Sequence, residues 1–463
     1  MIPGGPPLIT EELAAEAAAG AVDVDEGAPP EENRTLEVLR NKPFLALWLA
    51  QASTQIGGNM VLYGLTVLVF SLTNSTSAVS LLILTFLVPA VLFSAVAGVY
   101  VDRLDRRLIL IVTNLLRAVM FALLFFVGEN LIVILVLNAL ISTVTTFFAP
   151  AEAAMIPVLV KRSQLLAANG IFTVTLNAAF AIGFALLGPL VVNLTSPQAL
   201  LLVVAAFYLL AMVLTITLPS VPPTVATAPH SLAVHEASAA AASTFGQLRE
   251  GIAFIRNNHN VTWSLIYLVI TASLIGVLGV VGPAFANQAL GLSPKDFVVI
   301  VLPLGIGVVV GILLLNAYGK MIPRRRSIEA GLILLGIFLG LLAAAGPITR
   351  FLQHVSSVSP VDVSSLVSLL SVVIVLAFLA GIAYSSVAIP AQTQLQEDLP
   401  QEVRGRVFGV LNMLISTASF LPIIVVGPIA DWISTTAVVF VVAVAITVSG
   451  ILSAVLRRDV ARG

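Results

Sequence analysis

The sequence predicts an all-α membrane protein, with twelve transmembrane helices arranged as two pseudo-symmetric six-helix bundles. Three observations carry this. The 463 residues are 59% hydrophobic and 10% charged, with a mean hydropathy of +1.08. Water-soluble domains carry roughly 25% charged residues, and their cores stop growing near ~250 to 300 residues, so the bilayer must act as solvent for this much apolar surface. Apolar stretches recur at the ~20-residue length that crosses a ~30 Å hydrocarbon layer. Finally, Lys and Arg fall on alternate connections between those stretches, the pattern that cytoplasmic loops impose.

The chain opens on an acidic segment containing Glu11, Glu12, Glu16, Asp23, Asp25, Glu26, Glu31, Glu32 and Glu37 among Gly and Pro. Such a segment buries too little to offset its ordering entropy, so residues 1–40 are expected to be a disordered cytoplasmic tail. No basic region, apolar core and cleavage site of a signal peptide precede the first span. The predicted spans of the N-terminal bundle (41–218) are α1 43–72, α2 78–101, α3 108–128, α4 131–160, α5 165–193 and α6 198–218. Those of the C-terminal bundle (261–457) are α7 262–289, α8 297–318, α9 327–346, α10 366–395, α11 403–429 and α12 434–456. Between the bundles, 219–260 reads as a cytoplasmic linker. Its stretch 243–256, with Phe245, Leu248, Ile252 and Ile255 at helical spacing, is expected to be a short amphipathic helix on the membrane surface. Residues 458–463 form a second cytoplasmic tail.

With the N-terminus placed in the cytoplasm, all 22 Lys and Arg residues except Arg117, Lys295 and Arg350 fall on the inner side. A frame shifted by one helix would scramble this. The expectation is therefore a multi-pass protein of the cytoplasmic membrane with both termini inside. The halves also echo each other: Pro150 in α4 and Gly188–Pro189 in α5 are matched by Pro390 in α10 and Gly427–Pro428 in α11. Repeated halves suit a carrier that rocks one bundle against the other.

Composition excludes several functions. The net charge of −1 offers no basic stripe for nucleic acid. The absence of cysteine removes disulfides, thiolate metal sites and thiol nucleophiles. His230, His235, His259 and His354 lie outside the predicted spans, no H-E-x-x-H or phosphate-binding loop occurs, and no metal or cofactor is expected. An enzyme is therefore not expected.

The loop between α2 and α3 carries Gly98, Asp102, Arg103, Arg106 and Arg107 in the pattern G-x-x-x-D-R-x-x-R-R. A Gly admits a close helix neighbour, and an Asp can accept from a helix N-terminus. This pattern resembles the signature loop of the major facilitator superfamily, except that Asp105 stands where the usual motif has Gly. The stretches Pro150–Ala151–Glu152, Pro157, Ala168–Asn169, Gly188–Pro189 and Leu399 to Gly409 are similar to the drug and siderophore exporter branch, which includes macrolide efflux proteins. The resemblance implies a cytoplasmic gate in which Asp102 meets the start of α11 near Arg404 and Arg406, while the loop arginines meet Glu397 or Asp398. The equivalent loop after α8 keeps Gly319, Lys320 and Arg324 to Arg326 but no matching acid, which makes the lock one-sided. The acid that many relatives carry near Gln55 to Asn59 of α1 is absent here.

The deeply placed ionisable residues are Arg117 in α3 and Glu152 in α4. They lie ~14 Å and ~12 Å from the cytoplasmic ends of their helices at ~1.5 Å per residue. A lone charge at that depth is costly, so they are expected to pair or to share a polar cavity with Asn114 and Asn138. Three readings stand open: a bridge that fastens α3 to α4, a proton-coupling carboxylate tuned by Arg117, or two residues that do not pair. The superfamily resemblance further implies that α1, α4, α7 and α10 line a central cavity. The candidate lining residues are Gln51, Gln55, Asn59 and Tyr63; Asn138, Thr145 and Phe148; Tyr267, Asn287 and Gln288; and Tyr384, Gln392 and Gln394. Each can equally be an interhelical tie worth about 0.6 to 2 kcal/mol. The expected function is a monomeric secondary active transporter embedded in lipid. It would move a small amphipathic or lipophilic solute by alternating access, as an exporter, with protons as a candidate coupling ion. A lysophospholipid transporter or flippase, and a channel or scramblase, are the alternatives.

Overall fold

The computed structural model describes residues 31–127, 129–221, 258–349, 368–398 and 421–460. The acidic segment before residue 31 and the amphipathic helix expected over 243–256 lie outside them. Among the described residues, 11 helices are long and apolar enough to cross a membrane. In the first half these are α1 (Lys42–Thr73), α2 (Thr76–Arg103), α3 (Arg106–Val127), α4 (Leu131–Leu159), α5 (Leu165–Leu194 in three segments) and α6 (Pro197–Ile216). In the second half they are α7 (His259–Gln288), α8 (Val298–Tyr318), α9 (Arg324–Ala343), α10 (Leu369–Asp398) and α12 (Thr435–Val460). The remaining span, α11, is described as the shorter apolar helix Leu421–Trp432, and the start expected near 403 lies outside the described residues.

The starts of these helices follow from their capping side chains, which satisfy backbone N–H groups that have no partner within the helix. Ser75 caps α2, Asn130 caps α4, Ser196 caps α6 and Asn258 caps α7. Asn41 has two roles: its Oδ1 accepts from the Phe44 N–H at 3.4 Å, and its Nδ2 donates to the Leu159 carbonyl at 2.6 Å. It thereby ties the start of α1 to the end of α4. Just before it, Glu31–Arg40 forms a helix, where the composition predicts tail. Val38 explains the difference, because it is fully buried in a cluster with Phe44, Leu47 and Met155.

The two halves use the same packing pairs. In the first, α2 packs on α4, α3 on α4 and α3 on α6; in the second, α8 packs on α10, α9 on α10 and α9 on α12. Large apolar side chains such as Phe126, Leu194, Leu313 and Val441 are left exposed, which suits contact with lipid tails rather than water. Between α8 and α10 the backbones themselves touch. A Cβ at Gly307 would lie 2.0 Å from the Phe378 oxygen, and one at Gly381 would lie 2.1 Å from the Leu304 oxygen. Glycine is needed at both positions, and the resulting small-residue contact makes α8 and α10 one slab.

Within α5 the chain is α-helical over Leu165–Phe180, widens to a π segment over Ala181–Leu187, and ends as Gly188–Leu194. The Gly188 N–H bonds to the Gly183 oxygen, five residues back. This wide turn packs on α1 and on α8 of the other half. The bundle thus has a termini face, where α1 begins, and a distal face, where α1 ends.

Candidate functional site

α3 presents a narrow polar stripe to the interior. Thr113, Asn114, Arg117 and Phe121 are buried, whereas Leu115, Leu116 and Val119 are exposed. Arg117 is 2% exposed. Its Nε donates to the Thr113 oxygen at 3.2 Å and its Nη2 to Asn114 Oδ1 at 2.7 Å. The guanidinium is held between two rings, 4.3 Å from the Phe148 centroid on α4 and 4.6 Å from the Tyr208 centroid on α6. Tyr208 stacks in turn on Phe121 at 5.3 Å.

Glu152 lies one helical turn beyond Phe148 and is 7% exposed. Its Oε1 has no hydrogen-bond partner, and neither do Asn114 Nδ2 on α3 and Gln51 Oε1 on α1. No ion pair closes between Arg117 and Glu152. The guanidinium instead satisfies itself on its own helix and on aromatic faces, which attract a desolvated cation by about 2 kcal/mol. The first half therefore encloses a caged cation and an unpartnered carboxyl oxygen.

At the distal face the halves are joined by hydrogen bonds and rings. Tyr63 of α1 donates to the Lys295 oxygen at 2.6 Å, and its ring stacks on Phe297 at 5.4 Å, with Phe184 edge-on to both. Ser80 of α2 donates to the Ile423 oxygen of α11 at 2.8 Å. Beyond it, Asp431 accepts from the N–H groups of Thr76 and Ser77 at 2.7 and 2.9 Å and from the hydroxyls of Ser75, Thr76 and Ser77. Asp431 lies in the last turn of α11.

At the termini face, Asp105 accepts the Arg107 and Leu108 N–H groups at 2.8 and 3.4 Å, capping α3, and also accepts from Ser220. Burial raises its carboxyl, but these hydrogen bonds prevail and lower it. Arg106 donates to the Ala154 oxygen at 3.2 Å, and Arg107 to the Ile216 oxygen at 2.5 Å. Both bonds stay within the first half. Glu397 pairs through both oxygens with Arg324 of its own half, and that hydrogen bond holds its carboxyl below the ordinary range. No described atom lies within 4 Å of a Cβ built at Gly98. Arg103 is buried. The side chains of Asp102 and Asp398, and all of Arg404 and Arg406, lie outside the described residues.

The sequence profile of the Major Facilitator Superfamily matches residues 47–422. The chain belongs to this superfamily. Among curated relatives, this superfamily member is 24% identical over 402 residues to the multidrug efflux pump Tap of Mycolicibacterium fortuitum, covering 84% of this chain and 89% of Tap. It is also 24% identical over 396 residues to the uncharacterized MFS-type transporter YfiS of Bacillus subtilis (strain 168), covering 85% and 88%. The fold matches the nucleoside transporter NupG with a TM-score of 0.61 at 14% identity, covering 89% of this chain and 98% of NupG. It likewise matches a bacterial homologue of the iron transporter ferroportin in an inward-facing state, with a TM-score of 0.61 at 13% identity and coverages of 90% and 99%. The protein is thus a multi-pass membrane transporter and not an enzyme.

Several residues expected to line the cavity of this transporter have other partners. Asn138 donates to the Leu82 oxygen and to Thr85 Oγ1, both at 3.0 Å, and so ties α4 to α2. The Tyr267 hydroxyl bonds Ser453 Oγ at 2.5 Å, tying α7 to α12. Asn287 is exposed and donates to the Leu292 oxygen at the distal loop, and Gln288 accepts from Thr435 there. Gln55, Asn59, Thr145, Tyr384 and Gln394 are half-buried and Gln392 is exposed. Of the expected lining residues, Phe148 belongs to the Arg117 cage, and Gln51 is buried on α1 with its Oε1 unpartnered. Two groups had no sequence warning: Tyr208, a single hydroxylated ring in a largely apolar α6, and Asp431, which resembles an ordinary loop acid.

Proposed function

We propose that this transporter exports a small amphipathic or lipophilic solute by alternating access, with Glu152 as the carboxyl that gains and loses the coupling proton. The observation that carries the reading is the unpartnered oxygen of the buried Glu152. A buried carboxylate without a partner costs several kcal/mol, so the group is made to hold a proton or to receive an incoming cation. Arg117 is able to bias that exchange because its own contacts are to rings and to α3 rather than to Glu152. Export is favoured by similarity to an efflux pump. The basic-residue asymmetry supports cytoplasmic termini. In that orientation the distal face is external, and the joined Tyr63, Ser80 and Asp431 contacts describe an outer gate that is shut.

Flux into inside-out proteoliposomes tests this reading. With a panel of lipophilic drugs, saturable uptake that rises with an inward-acidic pH gradient is expected for at least one compound. Unitary currents in planar bilayers would replace the carrier with a channel. Saturable uptake indifferent to the gradient would remove the proton from the scheme.

A further inference from the structure

We infer that Asp431 is the latch of the distal gate: a carboxylate at the end of α11 that closes this face by capping the first turn of α2. Among the described residues, the hydrogen bonds this carboxylate accepts come from the opposite half, through two backbone N–H groups and three hydroxyls of Ser75, Thr76 and Ser77. The first turn of a helix as long as α2 (Thr76–Arg103) carries unpaired N–H groups and a positive dipole end. Asp431 meets both, and its bonds form only when the halves are together.

The surrounding packing is shaped for the same approach. Ser80 reaches the Ile423 carbonyl. Gly427 lies so close to α2 that a Cβ there would fall 2.2 Å from Ser80 Oγ and 2.7 Å from the Thr76 oxygen. By contrast, the Tyr63 contacts at this face are a neutral hydrogen bond and a ring stack. Among these described contacts, Asp431 supplies a charged acceptor.

When the halves separate, Ser75 can still cap α2, since it already accepts the Ala78 N–H at 3.3 Å, while Asp431 exchanges its donors for water. The carboxylate thus stabilises one state and not the other, and only such a differential interaction shifts a conformational equilibrium. This inference rests on alternating access but not on the identity of the solute or on any role for Glu152.

The absence of cysteine makes the test direct. Spin labels at Glu129→Cys and Lys295→Cys, both exposed at the distal face of opposite halves, report the separation by double electron–electron resonance. In Asp431→Ala the ratio of long to short distances is expected to rise roughly 5-fold or more, the scale set by loss of a helix cap. Ser77→Ala, which deletes one donor and leaves the acid in place, is expected to shift it in the same direction by less, and it serves if Asp431→Ala fails to fold. An unchanged distribution in the folded variants, alongside a parent that does open under a solute or proton gradient, sinks the latch alone. A parent that never opens sinks alternating access and the latch together.

Discussion

Glu152→Gln is expected to leave the transporter folded and to abolish pH-gradient-driven flux. The amide has the shape of the carboxyl but cannot take up a proton. Because the Oε1 atom of Glu152 accepts no hydrogen bond, the substitution breaks none there. Replacing an unpaired buried ionisable group with a neutral one is often neutral or stabilising, so apparent melting temperature should hold or rise. Gradient-driven uptake in liposomes, compared with solute binding to purified protein, separates the effects. Persisting gradient dependence would place the proton site elsewhere. Loss of folded protein would make Glu152 a structural fastener.

Arg117→Ala should have the largest effect on stability. The substitution deletes a side chain that is almost fully buried, empties the space between the Phe148 and Tyr208 rings, and strands Asn114 Oδ1. Large-to-small changes in a core cost about 2 to 5 kcal/mol, and two desolvated ring contacts add to that. Thermal unfolding in detergent should therefore drop markedly for Arg117→Ala and less for Arg117→Met, which retains most of the stem's packing. A double-mutant cycle with Glu152→Gln adds a sharper condition. Without a direct ion pair, the coupling left between the two charges should fall well short of the roughly 3 to 5 kcal/mol lost when a buried pair is broken. A coupling of several kcal/mol would restore the bridge.

The spans were legible because the bilayer sets their length, and a run such as 298–318 has no other solvent. The halves were legible because loops such as 103–107 and 320–326 concentrate basic residues. Side-chain partners were not, because hydropathy marks a residue as inside without marking which neighbour it faces. Asn138 shows this: at mid-span it looks like a cavity amide, yet it faces the Leu82 carbonyl of α2. Arg117 shows the converse, since a buried cation suggested a carboxylate partner and found two rings. Asp105 illustrates a third limit: in the motif it looked like a departure, and its reason became visible only as the cap of α3.

The π segment of α5 sets a phase for everything after it. An α-helix turns ~100° per residue, so the extra residue taken up by the wide turn fixes which way the last stretch of α5 points. Gly188, Pro189 and Val192 now face inward, with Gly188 against Tyr63. Deleting one residue from 181–187 would let the turn relax to ordinary α pitch and rotate that inward stripe toward lipid. The composition would hardly change, yet the seat of the Tyr63 ring at the distal face would be lost. Length in this stretch is thus a coded quantity, and a homologue one residue shorter here should carry its inward-facing positions shifted by one.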